Sequence, residues 1–211
     1  MIVTIFGATG GIGKWAMKHA LERGYEVRAF VRNPAKVTAS NDNLKVVQGE
    51  LNDESAVCEA IQGSNAIIWC VGIPMKRKYE TMTSLEGHKV LLSAMKKTGV
   101  KRLIDWGTPS VPFTKDKKSF ITVVPGILAE IALTQAKKEM VQIGELIENT
   151  DLEWTIVRFM APKNEPYTGK VKVGFGDVKM NFAISREDIG AFMVEQVEDK
   201  QYLHSMPIIG S

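Results

Sequence analysis

The chain has 211 residues, of which 45% are apolar and 24% charged, and its formal net charge is +3. These are ordinary globular values, and they exclude a disordered, collagenous or coiled-coil description of the whole chain. The small basic excess is scattered, and its densest stretch, Lys115, Lys117 and Lys118, is interrupted by Asp116. The charge footprint of a nucleic-acid binder is therefore absent.

Ile2 to Phe6 is a β-branched and aromatic run that predicts a buried strand. Gly7 to Gly13 is glycine-rich, and Lys14 to Arg23 then shows helical spacing with Gly24 as the stop signal. Tyr25 to Val31 predicts a second strand, ended by Asn33-Pro34, and Leu44 to Val47 a third. Asp53 to Ile61 predicts a helix with an acidic first turn, Ala66 to Val71 a fourth strand, and Leu85 to Thr98 a helix closed by Gly99. Leu103 to Trp106 and Trp154 to Arg158 predict the fifth and sixth strands.

Pro109 to Pro125 carries no clear period, and long irregular loops in compact domains are often functional, while Pro162 to Met180, with Gly169, Gly174 and Gly176, reads as loop plus short strands. Ser185-Arg186-Glu187-Asp188 reads as a capping box opening a last helix through Val197, and Met206 to Ile209 is expected to close the sheet edge. Strands alternate with helices and are apolar on both faces. That pattern predicts an α/β fold with a doubly wound parallel sheet. The expected organisation is a single domain over 1–211, with about 160–211 as a small substrate-side cap.

Cys58 and Cys70 are too few for a disulfide framework. No signal-peptide pattern opens the chain, and no run reaches about 18 apolar residues. A soluble, cytoplasmic protein without a membrane span is expected. His19, His88 and His204 lack zinc-type partners in sequence, so no metal site is expected, and His19 and His88 read as surface or packing residues. Cys70 reads as a small buried hydrophobe.

Gly7-Ala8-Thr9-Gly10-Gly11-Ile12-Gly13 lies directly between the first strand and the first helix. Glycines there permit a tight turn, close backbone approach to a pyrophosphate, and close helix–strand packing. The helix N-terminus adds free N–H groups and partial positive charge. At the end of the second strand, where specificity for a free ribose 2′-hydroxyl calls for Asp or Glu about 20 residues past the glycines, the chain has Arg32-Asn33-Pro34. A guanidinium can pair with a 2′-phosphate, so NADP(H) is preferred over NAD(H), with NAD(H) possible.

GATGGIG after the first strand, VRNP after the second and LEWTIVR at the sixth resemble the NmrA-like atypical short-chain dehydrogenases/reductases. The blocks Ser84 to Ile104, Gly144 to Arg158, Glu165 to Val173 and Ile184 to Met193 are similar to the flavin reductase/biliverdin-IX-beta reductase type. The resemblance implies an NAD(P)-binding Rossmann fold and reduction of a flavin or related conjugated acceptor, with flavin as substrate rather than bound cofactor. It also implies Gly7, Ala8, Thr9, Gly10, Gly11 and Ile12 at the pyrophosphate, Arg32 and Asn33 at the 2′-phosphate, Glu50 and Leu51 near the adenine, and Val71 and Gly72 along the ribose. Glu50 stands where the family usually carries Asp. Thr108 matches the hydroxyl near the nicotinamide, Trp106 flanks the nicotinamide or belongs to the core, and Met160 lines the same region. Ala161 occupies the place of the flavin-reductase histidine. Relatives occur as monomers and as homodimers.

Ordinary members of the wider superfamily use a Tyr-x-x-x-Lys pair. None of the four tyrosines, Tyr25, Tyr79, Tyr167 and Tyr202, has lysine four residues later, and alignment on LEWTIVR puts Ala136 and Met140 at the pair's positions. Loss of a general acid lowers carbonyl reduction by roughly 10²–10⁴. Hydride transfer to a planar acceptor needs chiefly orientation, which cofactor and acceptor chemistry can complete. The expected activity is therefore NAD(P)H-dependent reduction of a flavin-like acceptor. The alternative is a non-catalytic NADP(H)-binding regulator or interaction protein, and an isomerase or epimerase acting on a nucleotide-linked substrate is the weakest reading.

Overall fold

The computed structural model describes residues 1–119 and 132–211. Residues 120–125 of the irregular stretch after the fifth strand lie outside the described residues.

Strand β1 (Ile2–Phe6) forms the centre of the fold, paired in parallel with β2 (Glu26–Val31) on one side and β4 (Ala66–Trp69) on the other. Beyond β2 lies β3 (Leu44–Gln48), and beyond β4 come β5 (Arg102–Gly107) and β6 (Glu153–Arg158), all parallel. The order β3-β2-β1-β4-β5-β6 reverses direction between β1 and β4, which is where ligands settle in doubly wound sheets. Helices α1 (Gly13–Glu22), α2 (Glu54–Ile61), α3 (Thr83–Thr98), α4 (Thr134–Glu148) and α5 (Arg186–Glu195) cover the sheet. Each face has its own core. Trp69, Leu91, Met95 and Ile147 fill one, and Ile5, Ala16, Ile68 and Met193 the other.

Three sequence expectations change. The last strand, β10 (Ile208–Gly210), does not close the sheet edge; it lies between β6 and β8 (Lys172–Gly174), which pairs with it antiparallel. The region after residue 160 thus adds two strands to the same sheet, and β7 (Pro162–Lys163) with β9 (Ile184–Ser185) makes a separate small ladder. Edge strand β3 is not buried on both faces, since Lys45, Val46 and Gln48 are exposed. Ser185 caps α5 by accepting from the Glu187 N–H at 3.2 Å, but the reciprocal half of a capping box is missing. Asp188 instead accepts from the Thr168 and Gly169 N–H groups, pinning the Pro162–Met180 stretch to the helix.

Candidate functional site

The turn between β1 and α1 is forced to be glycine by its surroundings. Gly7 has φ +74°, and a Cβ there would sit 2.7 Å from the Cys70 carbonyl carbon, while one on Gly13 would collide with the Gly7 carbonyl. The Gly10 N–H closes the turn on the Gly7 carbonyl at 2.9 Å. Ala8 is fully buried beneath it and Thr9 is exposed on it. No side chain caps the start of α1 at Ile12. An uncapped helix N-terminus behind a glycine turn can hold a phosphate group.

From Gly10, Gly11 and Ile12 a cleft of about 610 Å³ runs over the C-terminal ends of β4, β5 and β6. Gly72, Ile73 and Met75 follow β4; Trp106, Thr108 and Ser110 come from the end of β5; and Phe159, Met160 and Ala161 follow β6. Helix α4 contributes Met140, and α5 contributes Arg186 and Met193. The wall is almost wholly apolar.

Trp106 lines the cleft and also packs against both cores. Its indole N–H donates to the Val71 carbonyl at 2.9 Å and its ring stacks on Phe159 at 5.7 Å. The Thr108 and Ser110 hydroxyls share a hydrogen bond of 2.6 Å, with the Met140 sulfur 3.7 Å from Thr108. Ala161, in the position of the missing histidine, has φ +44°, a conformation L-residues seldom adopt. Ala136 is fully buried, one helical turn before Met140.

The other proposed contacts lie outside this cleft, at the ends of β2, β3 and β4. Arg32 is exposed, and no carboxylate among the described residues lies within ion-pair distance of it. The Asn33 side-chain oxygen accepts from the Ala35 N–H at 3.0 Å and so caps the short turn Pro34–Lys36. Glu50 is exposed, whereas Leu51 is half-buried and packs on Gly87. A dinucleotide laid across the carboxyl ends of these strands would have to run from Arg32 past the glycine turn into the cleft.

His88 is not a surface residue. It is buried on α3, where its Nδ1 donates to the Ser84 carbonyl at 2.7 Å and its Nε2 lies 2.9 Å from Asp105 Oδ2. Because the carbonyl can only accept, a proton must lie between His88 Nε2 and Asp105. The other Asp105 oxygen accepts from the Trp106 N–H at 2.7 Å, so this buried pair sets the end of β5 from beneath. Burial and then the Asp105 charge push the Cys70 thiol well above its ordinary range, leaving it an unreactive wall group. Glu139, also fully buried, accepts from the Tyr79 hydroxyl and from the Leu85 N–H in the first turn of α3.

Sequence reading missed Ser110, Phe159, Arg186 and Met193 as cleft residues. None carries a local signal, because each reaches the cleft from a separate element.

Residues 7–200 match a family model described as NAD(P)H-binding. Cinnamoyl-CoA reductase 2 of Arabidopsis thaliana is 35% identical over 115 residues, which are 49% of this chain and 34% of that protein. The chain spans about a third of the length of the first curated relatives it matches. Among solved structures, the oxidoreductase ylbE from Lactococcus lactis superposes with a TM-score of 0.81 at 22% identity, covering 100% of this chain and 91% of that one. ChuY, an anaerobilin reductase from Escherichia coli O157:H7, superposes with a TM-score of 0.77 at 19% identity, covering 100% and 97%. At these identities the superpositions establish the Rossmann-type fold alone. Among the described residues no helix is long and apolar enough to cross a membrane.

Proposed function

The chain belongs to the NAD(P)H-binding family, and from that premise we propose that it is an NmrA-like atypical short-chain dehydrogenase/reductase that reduces a flavin or similar planar acceptor with NADPH. The observation that carries this reading is the acceptor side of the cleft. Met75, Trp106, Phe159, Met160 and Met193 form an apolar wall, and among the described residues its hydroxyl groups are those of Thr108 and Ser110. A flat, conjugated molecule fits such a wall.

The residues present fit a dinucleotide. The glycine turn packs its backbone directly on the Cys70 carbonyl and on itself, which seats it tightly before α1, and the uncapped start of α1 offers N–H donors to a diphosphate. Arg32, which has no carboxylate partner among the described residues, supports a preference for the 2′-phosphate of NADP(H). When bound, the reduced nicotinamide supplies the hydride. Thr108, held by Ser110, can orient a carboxamide or an acceptor carbonyl, while the apolar wall excludes water and aligns the rings. No tyrosine of the chain has lysine four residues later, which favours an acceptor that takes its proton from solvent. The relatives and neighbours named as reductases support the oxidoreductase class.

Mixing the protein with NADPH and FMN and following the near-ultraviolet band of the reduced nicotinamide tests the proposal. Oxidation above the rate of the protein-free mixture is expected. Tight NADPH binding with no excess oxidation by any flavin would leave a non-catalytic binder instead. Thr108→Val is expected to lower kcat by about 2- to 10-fold, the worth of one ordinary hydrogen bond, with little change in melting temperature. An unchanged kcat would remove Thr108 from the orienting role.

A further inference from the structure

The first residue of α5, Arg186, reaches across to the glycine turn from the far end of the sequence. Its Cδ and Nε lie 3.1 Å from where a Cβ on Gly11 would be, and it lines the cleft there beside Gly10 and Ile12. Its place is electrostatically odd. A cation in the first turn of a helix faces the positive end of that helix's dipole, and here the uncapped N-terminus of α1 adds a second positive end.

Local carboxylates do not relieve this. Glu187 pairs with Lys18 of α1 at 2.7 Å, and Asp188 accepts from Thr168 and Gly169. Among the described residues the Arg186 side chain donates to the neutral Asn164 side-chain oxygen, at 2.8 Å, and no carboxylate lies within ion-pair distance of it. The Glu187–Lys18 pair and the close seat of Gly190 on α1, where a Cβ would lie 2.7 Å from the Ala16 nitrogen, fix α5 against α1. The guanidinium is thereby presented to the turn by rigid elements rather than by a loose loop.

We infer that Arg186 is a ligand of the cofactor's diphosphate, supplied by the C-terminal helix to close over the glycine turn. The inference rests on the NAD(P)H-binding reading of the cleft. A diphosphate is the group that satisfies a glycine turn, a helix N-terminus and a planar five-donor fork together. Asn164 holds the side chain while the diphosphate is absent. The role is distinct from that of Arg32, which serves the 2′-phosphate and so separates two cofactors, whereas Arg186 serves the part that both cofactors share.

Calorimetric titration of wild type, Arg186→Met and Arg186→Lys with NADPH, NADH, ADP-ribose and adenosine 2′-phosphate tests this. For Arg186→Met the expected result is a loss of about 10- to 100-fold for the first three ligands alike, the range of a hydrogen bond to a charged group. Adenosine 2′-phosphate, which has no diphosphate, should bind as before, and the melting temperature of the free protein should hold. The lysine variant should fall between, since it keeps the charge and loses the fork. Unchanged ADP-ribose binding, or a loss confined to NADPH, overturns the assignment while leaving the reductase proposal standing. A wild-type chain that binds none of the four overturns the cofactor reading and this inference together.

Discussion

Asp116→Ala should lower stability by about 3–5 kcal/mol, because it strands a buried guanidinium. Arg158, at the end of β6, is fully buried. Its Nε donates to the Met206 carbonyl at 2.8 Å and its Nη1 to the Val111 carbonyl at 2.9 Å, while the two terminal nitrogens grip both Asp116 oxygens. With Asp116 gone its hydrogen-bond acceptors among the described residues are two neutral carbonyls, and the Glu148 charge acts on it without a hydrogen bond. For a chain of this size the melting temperature should fall by about 6–20 °C. Replacing both partners, Arg158→Leu with Asp116→Leu, should recover a large part of the loss, since an apolar pair needs no charge balance. A shift for Asp116→Ala of under about 1 kcal/mol would put the pair in the class of exposed ion pairs and refute this account. The same substitution has a functional arm. The segment that Asp116 anchors carries Ser110 into the cleft, so the KM for the acceptor should rise more than the Kd for NADPH.

This pair also marks the limit of what the sequence discloses. The β1 turn was legible because its requirement is local: Gly7 and Gly13 answer to atoms a few residues away and to the strand beside them. Helices α1, α2, α3 and α5 and strands β1 to β6 were legible from period and apolar runs. Arg158 and Asp116 are 42 residues apart, and nothing in either neighbourhood announces the other. His88 shows the same blindness, since a helical pattern says that it faces inward or outward but not that a carboxylate at the end of β5 awaits it. The misplacement of β10 has another cause. A short apolar run announces a strand without naming its neighbours, and the antiparallel β8 that takes the edge lies in a glycine-rich stretch with weak strand signal. Arg186 was hidden by its own local role: a residue just inside a cap reads as helix start, whereas its chemistry depends on α5 docking against α1.

Arg32 offers the sharpest test of cofactor choice, because on the proposed reading it meets the 2′-phosphate that only NADP(H) carries. Arg32→Ala should weaken NADPH by about 10- to 100-fold and leave NADH within about 3-fold, since only charge-assisted bonds to the 2′-phosphate are lost. Arg32→Glu should go further. Its carboxylate repels the 2′-phosphate and can accept from the free ribose hydroxyls of NADH, so the preference should invert rather than merely vanish. Because Arg32 is exposed at the end of β2, the NADPH advantage of the wild type should also shrink as salt rises and the screening length falls below about 8 Å. Neither variant should alter the melting temperature of the free protein by much, as no described carboxylate depends on this guanidinium. The measurement is the ratio of the two dissociation constants at two ionic strengths. If both cofactors weaken equally, Arg32 meets a group they share, and the basis for preferring NADPH is gone. If the ratio inverts in Arg32→Glu while ADP-ribose binding still depends on Arg186, the two arginines divide the cofactor between them, one reading its identity and the other holding its centre.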